Sequence, residues 1–309
     1  MSDMIPFPDK EEQLFASGTR KMVAQDYLSA KKDFEALYAF NPSFETVQQL
    51  VEIYRLLGDF EGAIFYAQEY ETYYLEQADL FEQYVRLLLL DSRYLFVHRL
   101  LQKNPHEKLQ ADLIQLETTQ EFIGERDLQI KEQLFAKWSQ EQQPILGKKW
   151  EKWLKGLSLS RFIHFVKKYL PTAQNPFLVP KVAEELIFCG IKEKLILKTI
   201  DGVSQEIDLS EVMPLNQAPQ MALFLRLAAE TWENEDPQIA EGIAMEGQAH
   251  FSLLYPFLPE LEDVPNWVES YSLEYKGMFG DEQALEGLND YQKIQQTKQK
   301  LRKIYQDLM

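Results

Sequence analysis

The sequence predicts a mostly α-helical protein, in which helical hairpins stack into an α-α superhelix and a helical C-terminal domain with one small β-hairpin follows. Helix-forming residues dominate, and glycine and proline are scarce at 13 and 14 of 309 residues, which favours helices over sheets. One pattern of aromatic and small residues occurs three times in the first third of the chain. A single stretch, at about residues 194–209, has the composition of two strands joined by a turn.

The three N-terminal segments repeat at an almost constant spacing. Tyr27, Phe60 and Tyr94 lie 33 and 34 residues apart. A smaller and then a further apolar residue follow each of them at the same intervals: Ala30, Ala63 and Val97, then Phe34, Ala67 and Leu101. Each unit is expected to be a helical hairpin whose second helix follows a short turn, at Gln25–Asp26, Gly58–Asp59 and Asp91–Arg93. Such hairpins must stack, because none of them buries its apolar face alone.

This pattern resembles the tetratricopeptide (TPR) repeat family, over roughly residues 10–110. The positions that match the family pattern are Gly18, Tyr27, Ala30, Phe34 and Pro42 in the first unit, Leu50, Tyr54, Leu57, Gly58, Phe60 and Ala63 in the second, and Phe81, Leu87, Tyr94 and Leu101 in the third. The third unit departs from the pattern at Val97, where the family has a small residue, and at Pro105, which comes early. The first aromatic position is not tryptophan in any unit.

The resemblance implies a concave groove lined by the first helix of each unit. The positions that correspond to this lining are Glu12 and Thr19 in the first unit, Gln48, Glu52 and Arg55 in the second, and Glu82 and Arg86 in the third. The residues themselves show only polar positions on otherwise apolar helices, which also suits ordinary solvated side chains. If the groove binds a peptide, Arg55 and Arg86 are candidates for holding a carboxylate, because a guanidinium matches a carboxylate in two parallel bonds.

Residues 107–141 have apolar residues at helical spacing and predict further helix, as a degenerate fourth unit or as a cap. Gln142–Pro144 is a candidate boundary. The sequence therefore predicts a repeat domain at residues 1–143 and a second domain at residues 144–309.

The second domain begins with a basic, aromatic, amphipathic stretch from Lys148 to Lys168. Basic and aromatic residues together are typical of single-stranded nucleic-acid binding and of helices that lie on a membrane surface. They equally suit a docking face for the acidic C-terminal segment, or a solvated helix face over a tryptophan and phenylalanine core. The acidity of the whole chain favours the last two readings.

The β-hairpin is predicted from β-branched residues around Asp201–Gly202, which indicate a two-residue turn. That turn would place Ile200 opposite Val203, and Ile196 opposite Ile207. Helices are expected again in the final third. In the last segment, from Glu282, an apolar stripe suits either a helix lying on the body of the protein or a short coiled-coil contact in a homodimer.

No constellation for catalysis or for metal binding is visible in the sequence. The four histidines are far apart, and the chain has no HExxH, GxSxG, GxGxxG or P-loop motif. The sequence therefore predicts no catalytic residue, no metal site and no cofactor, and indicates that the protein is not an enzyme. An enzyme with an unrecognised site in the C-terminal domain is the third and least favoured hypothesis.

The partner and the compartment are limited by charge and composition. A net charge of −17 argues against a nucleic-acid partner. The single cysteine, Cys189, fits a reducing compartment, and the start of the chain has no signal-peptide pattern. With no stretch long enough to span a membrane, the chain is expected to be cytoplasmic and without a membrane partner.

The favoured hypothesis is a scaffold or adaptor that binds a peptide or protein partner in the concave face of the repeats. The alternative is an RNA- or ribosome-associated regulatory or assembly factor that uses the basic stretch at residues 148–168.

Overall fold

The computed structural model describes residues 10–232 and 236–308. These residues are mostly helical, with a two-stranded antiparallel sheet, as the sequence predicts. The chain divides into two compact units. The first contains the chain up to Ile123 together with Leu154–Ser158, and the second contains Gly124–Trp153 together with the chain from Leu159.

The first unit is a succession of short helices that pack on their neighbours in chain order. The helices are α1 (Lys10–Val23), α2 (Tyr27–Phe40), α3 (Phe44–Leu56), α4 (Phe60–Glu69), α5 (Glu71–Glu76), α6 (Ala78–Leu90), α7 (Tyr94–Lys103) and α8 (Glu107–Ile123). The pairs α1–α2, α3–α4 and α6–α7 are the three predicted hairpins. The short helix α5, between the second and third hairpins, was not predicted.

The equivalent residues of the three hairpins occupy equivalent places. Tyr27, Phe60 and Tyr94 are the first residues of α2, α4 and α7. The residues that follow at the same intervals are all buried in one core: Ala30, Ala63, Val97, Phe34, Ala67 and Leu101. The repeat that the sequence predicts is therefore present as a repeated packing position. At Gly18 a Cβ atom would lie 2.6 Å from the ring of Phe34, so α1 and α2 approach closely there.

The turns inside the hairpins also repeat. Gln25, Gly58 and Ser92 all have a left-handed backbone, with φ of 58°, 74° and 58°. The next amide in each turn donates to a carbonyl five residues earlier, at distances of 2.8–2.9 Å: Asp26 to Lys21, Asp59 to Tyr54 and Arg93 to Leu88. This is the Schellman arrangement, in which a left-handed residue satisfies the last carbonyls of a helix. The same helix ending thus occurs three times in the register of the repeat.

The second unit contains the remaining helices and the sheet. Its elements are α9 (Glu125–Gln140), α10 (Gly147–Leu154), α11 (Leu159–Tyr169), α12 (Leu178–Phe188), β1 (Lys194–Lys198), β2 (Ser204–Asp208), α13 (Pro219–Trp232), α14 (Pro237–Leu254), α15 (Val264–Met278), α16 (Glu282–Gly287) and α17 (Gln292–Gln306). Helix α9 lies in this unit. The domain boundary predicted from the sequence, at residue 143, would instead assign α9 to the repeat domain. Within the described residues, no helix has the length and apolarity that crossing a bilayer requires.

The basic stretch turns its aromatic side inwards. Trp150, Trp153, Phe162 and Phe165 are buried, and the rings of Trp150 and Trp153 stack at 5.0 Å. The basic side chains of Lys148, Lys149, Lys152, Arg161, Lys167 and Lys168 lie at the surface. Lys167 forms an ion pair with Glu193 (2.5 Å), and Lys168 forms one with Glu132 (2.7 Å). The stretch is therefore a solvated helix face over an aromatic core.

The β-hairpin is present, but the predicted register is wrong by one residue. Leu195 pairs with Ile207, and Ile196 pairs with Glu206. The turn has three central residues, 200–202. Gly202 has a φ of 77°, and its amide donates to the carbonyl of Thr199 (2.9 Å). This is a type I turn closed by a left-handed glycine. The shift buries Leu195 and Leu197 and leaves Ile196 53% exposed.

The apolar stripe of the last segment packs against its own unit. Leu301 is fully buried, and Ile294 and Ile304 lie against the same core as α13, α14 and α15. The structure thus shows the first of the two predicted arrangements, a helix on the body of the protein. A homodimer through this segment stays a prediction.

Candidate functional site

The first unit contains a concave cavity of about 960 Å³ on one side of its helices. Most of its lining comes from α3, α6 and α8, and the rest is one residue each from α5, from the turn after α6 and from the start of α7. The lining residues are Gln48, Val51, Glu52, Arg55, Tyr74, Gln83, Arg86, Leu87, Leu89, Leu90, Ser92, Tyr94, Asp112, Gln115 and Leu116. We call this cavity the groove.

The groove brings together four of the seven residues proposed from the sequence. Gln48, Glu52 and Arg55 reach it from α3, and Arg86 from α6. Glu82 is held beside it, since Arg86 donates to its carboxylate at 3.0 and 2.7 Å.

Glu12 and Thr19 are not part of the groove lining. Both are exposed on α1, and the hydroxyl of Thr19 donates to the carbonyl of Phe15 on the same helix (2.8 Å). The first hairpin therefore adds neither of its proposed residues to this cavity.

Ion pairs within the chain occupy both groove arginines. Arg55 donates from two nitrogens to the two carboxylate oxygens of Glu52, at 2.7 and 2.6 Å. These bonds raise the pKa of Arg55. Arg86, besides its bonds to Glu82, lies 3.7 Å from the carboxylate of Asp112. The bond from Arg86 lowers the pKa of Glu82, which is therefore ionised at neutral pH.

The apolar part of the groove has buried and accessible members. Val51 and Leu87 are buried, whereas Leu90 is 51% and Leu116 is 37% exposed. An accessible leucine within a concave cavity is a contact point for an apolar side chain of a ligand. Leu90, Leu116 and Asp112 were not predicted from the sequence. Apolar spacing placed α8 in a helix, but it gave no register that would identify its groove-facing residues.

The segment Leu154–Ser158 packs on the turn of the third hairpin, next to the groove residue Ser92. Lys155 forms an ion pair with the buried Asp91 (2.5 Å), and the amide of Gly156 donates to the carbonyl of Ser92 (2.7 Å). Arg93 also pairs with Asp91 (2.8 Å). These bonds hold in place the turn that follows Leu90.

The second unit contains a buried network of charged residues that the sequence did not reveal. On α17, the fully buried Lys298 contacts Glu274 (2.8 Å) and Ser270 (3.1 Å) of α15. Arg302 donates to both oxygens of Glu274 (3.1 and 2.6 Å). Arg302 also donates to Glu246 of α14 (2.6 Å). The network therefore ties α17 to two other helices.

Burial changes the titration of this network. Burial, and then the positive charges of Arg302 and Lys298, lower the pKa of His250 to about 4. Burial also lowers the pKa of Lys298, to about 8. His250 is hydrogen-bonded to Tyr271. The contact of Ser270 with Lys298 resembles a serine–lysine pair, but both residues are fully buried and line neither described cavity, so the network holds helices together.

Among residues 10–232 and 236–308, no three or more histidine, cysteine, aspartate or glutamate side chains are grouped so that they could hold a metal ion. Cys189 is buried. The chain matches no family model, no curated protein and no solved structure.

Proposed function

We propose that the protein is a non-enzymatic adaptor of the cytoplasm whose first unit binds a peptide segment of a partner protein in the groove. The observation that supports this proposal is the position of the groove. The first helices of the second and third hairpins, together with α8, present polar side chains and two accessible leucines to a single concave cavity of about 960 Å³. That volume lies within the range of cavities that hold ligands, roughly 300–1,000 Å³.

The likeness to TPR repeats supports the same proposal. The repeated helix starts, the buried small residues and the recurring turn form a scaffold in which each hairpin is held by its neighbours. A scaffold of this kind presents side chains of successive helices at regular intervals, which suits binding to an extended or helical peptide.

The burial of the aromatic residues favours the adaptor over the RNA-associated factor. Trp150, Trp153, Phe162 and Phe165 all have buried rings, so they offer no face on which a base could stack. The remaining attraction for RNA is that of the surface lysines, on a chain whose net charge is −17. That attraction is weak and falls with salt.

The test uses the full-length chain as bait in a lysate of its host, with and without nuclease. Leu90→Asp places a charge in the groove at an accessible position. The matched control is Leu28→Asp, at an exposed leucine of α2 that is not among the groove-lining residues. The adaptor predicts a stoichiometric protein partner that survives nuclease, is lost with Leu90→Asp and is kept with Leu28→Asp. Recovery of RNA or ribosomal proteins that vanish with nuclease would instead support the alternative, and equal recovery by both variants would reject the groove.

A further inference from the structure

The groove's own ion pairs indicate which peptides it accepts, an inference that rests on the proposed function. Arg55 is engaged in two bonds to the carboxylate of Glu52, and Arg86 in two bonds to that of Glu82. These bonds use the Nε and Nη2 atoms of each arginine, so a carboxylate of a ligand would compete with Glu52 and Glu82 for the charge and could reach only the Nη1 side without displacing them. The two guanidiniums are therefore already neutralised by the chain.

The carboxylate that is held least closely in the groove is that of Asp112. In the lining, the carboxylates of Glu52 and Asp112 balance the guanidiniums of Arg55 and Arg86. Glu82, beside the lining, pairs with Arg86 and also interacts with the positive charge of Lys108. The carboxylate of Asp112 lies 3.7 Å from Arg86, beyond hydrogen-bond distance, and its side chain is 37% exposed. It can accept a bond from a ligand without breaking a close pair. Gln48, Gln83 and Gln115 add only neutral donors and acceptors.

Accessible leucines lie in the same lining as these carboxylates. Leu90 ends α6, and Leu116 lies one turn beyond Asp112 on α8. A ligand that contacts a leucine with an apolar side chain is thus presented with the loosely held carboxylate of Asp112 nearby. A lysine or arginine next to the apolar residue would complement that carboxylate, whereas an aspartate or glutamate would be repelled.

We infer that the groove binds a partner segment in which a large apolar side chain is flanked by lysine or arginine, and that it discriminates against carboxylate ligands. This preference for a positively charged ligand is opposite to that of a groove in which Arg55 and Arg86 bind a carboxylate. Replacing Arg55 and Arg86 should therefore raise the affinity if the groove prefers basic ligands, and should lower it if the two arginines bind a carboxylate of the ligand.

The first experiment selects ligands without assuming their sequence. A random 12-residue library displayed with free C-termini is selected on the full chain, and the recovered peptides are tested on Leu90→Ser and Leu28→Ser, which remove the leucine contact without adding a charge. Peptides that bind the wild type and Leu28→Ser but not Leu90→Ser are groove ligands, and they are expected to carry net positive charge beside a leucine, phenylalanine or similar residue. Groove ligands that are acidic, or that require the terminal carboxylate, would overturn this inference and leave the proposed function standing. Recovery of no groove ligand would overturn both.

The second experiment measures the sign directly. A labelled groove ligand from the selection is titrated against Arg55→Gln/Arg86→Gln in low salt. Both arginine side chains are more than 40% exposed, so the change is compatible with folding. Affinity should rise about 5-fold, as expected when partly exposed charges contribute on the order of 1 kcal/mol, and the gain should shrink in high salt.

The matched control changes the net charge by the same amount elsewhere in the unit. Arg20→Gln/Lys32→Gln removes two exposed cations of α1 and α2, neither of which lines the groove. This control should change the affinity by less than 2-fold. A loss of affinity in Arg55→Gln/Arg86→Gln, with the control unchanged, would show that the arginines bind the ligand and would overturn the inference.

Discussion

Replacement of His250 by glutamine should remove a defined part of the acid sensitivity of the second unit. His250 is 2% exposed on α14, hydrogen-bonded to Tyr271 and close to the cations Lys298 and Arg302. Facing it are also the carboxylates of Glu246, 3.9 Å from its Nε2, and of Glu274. Burial and the two cations outweigh the carboxylates, so the folded protein keeps the imidazole neutral.

The size of the effect follows from the difference between the folded and unfolded pKa values. The pKa of His250 is lowered from 6.5 to about 4 in the folded chain. Between these values the unfolded chain binds a proton that the folded chain does not, so the free energy of unfolding falls as the pH falls. The loss from this group alone is about 1.3 kcal/mol between pH 7.5 and 5.5, and about 3 kcal/mol by pH 4.

The assay is urea unfolding followed by tryptophan fluorescence at pH 7.5 and 5.5. All five tryptophans belong to the second unit, so the signal reports on that unit. Both pH values stay above the pI of about 4.8, where the protein keeps its negative charge. The wild type should lose about 1.3 kcal/mol more than His250→Gln between the two pH values. The control His164→Gln, at an exposed histidine of α11, should behave as the wild type does.

Equal pH dependence in the wild type and in His250→Gln would refute the reasoning. It would mean that the folded chain binds the proton on His250 as readily as the unfolded chain does, and that the network on α17 accommodates a third positive charge at pH 5.5.

Three further predictions concern the turns, a helix contact and the β-hairpin. Gln25→Gly should stabilise the first unit by about 0.5–1 kcal/mol, because glycine adopts the left-handed backbone without strain, and Gly58→Ala should destabilise it by about 1 kcal/mol. Thermal melts followed by circular dichroism measure both changes. Melting temperatures that shift in the same direction in the two variants would contradict this account. Gly18→Ala should cost about 1–3 kcal/mol in the same melts, since its methyl group would meet the ring of Phe34 at 2.6 Å, and an unchanged melting temperature would show that α1 and α2 are not in close contact. Leu197→Ala should destabilise the second unit by about 2–5 kcal/mol in urea unfolding, and Ile196→Ala by less than about 0.5 kcal/mol, because Leu197 is 1% and Ile196 is 53% exposed. A larger loss for Ile196→Ala than for Leu197→Ala would instead support the register predicted from the sequence.

The repeat could be predicted from the sequence because its determinants are local. The turns recur at the same spacing as the buried residues, and each turn is closed by bonds within six residues, as between Asp26 and Lys21. A pattern of this kind is visible without knowledge of distant contacts. Helix α5 was missed since its residues, Glu71–Glu76, lie within the regular spacing and do not disturb it.

The register of the β-hairpin was predicted with an error of one residue because two turn types fit the same sequence. Asp201–Gly202 is compatible with a two-residue turn and with a three-residue turn that ends in a left-handed glycine. The two differ in which leucines and isoleucines face the core. The burial of Leu195 and Leu197, which depends on contacts with distant helices, accompanies the longer turn, and the sequence alone does not contain that information.

The groove and the charged network mark the limit of sequence reasoning in different ways. Gln48, Glu52, Arg55 and Arg86 were found from the repeat register, whereas Asp112 and Leu116 lie on α8, where no register was visible. Lys298 and Arg302 are one turn apart on α17, and so are Glu246 and His250 on α14. Such spacing is common on solvated helices, so only the packing of α14, α15 and α17 shows that these residues meet.

The most direct test of the central claim, that the groove is the partner-binding site, is site-specific photo-crosslinking in the full-length chain. A photoreactive amino acid is placed at Leu90 in the groove or at Leu28 on α2, both of which are more than half exposed, and the chain is irradiated in a lysate of its host. The account predicts a discrete cross-linked protein partner from position 90 and none from position 28. The same partner captured from position 28 and not from position 90 would contradict the account, because the partner would then bind outside the groove.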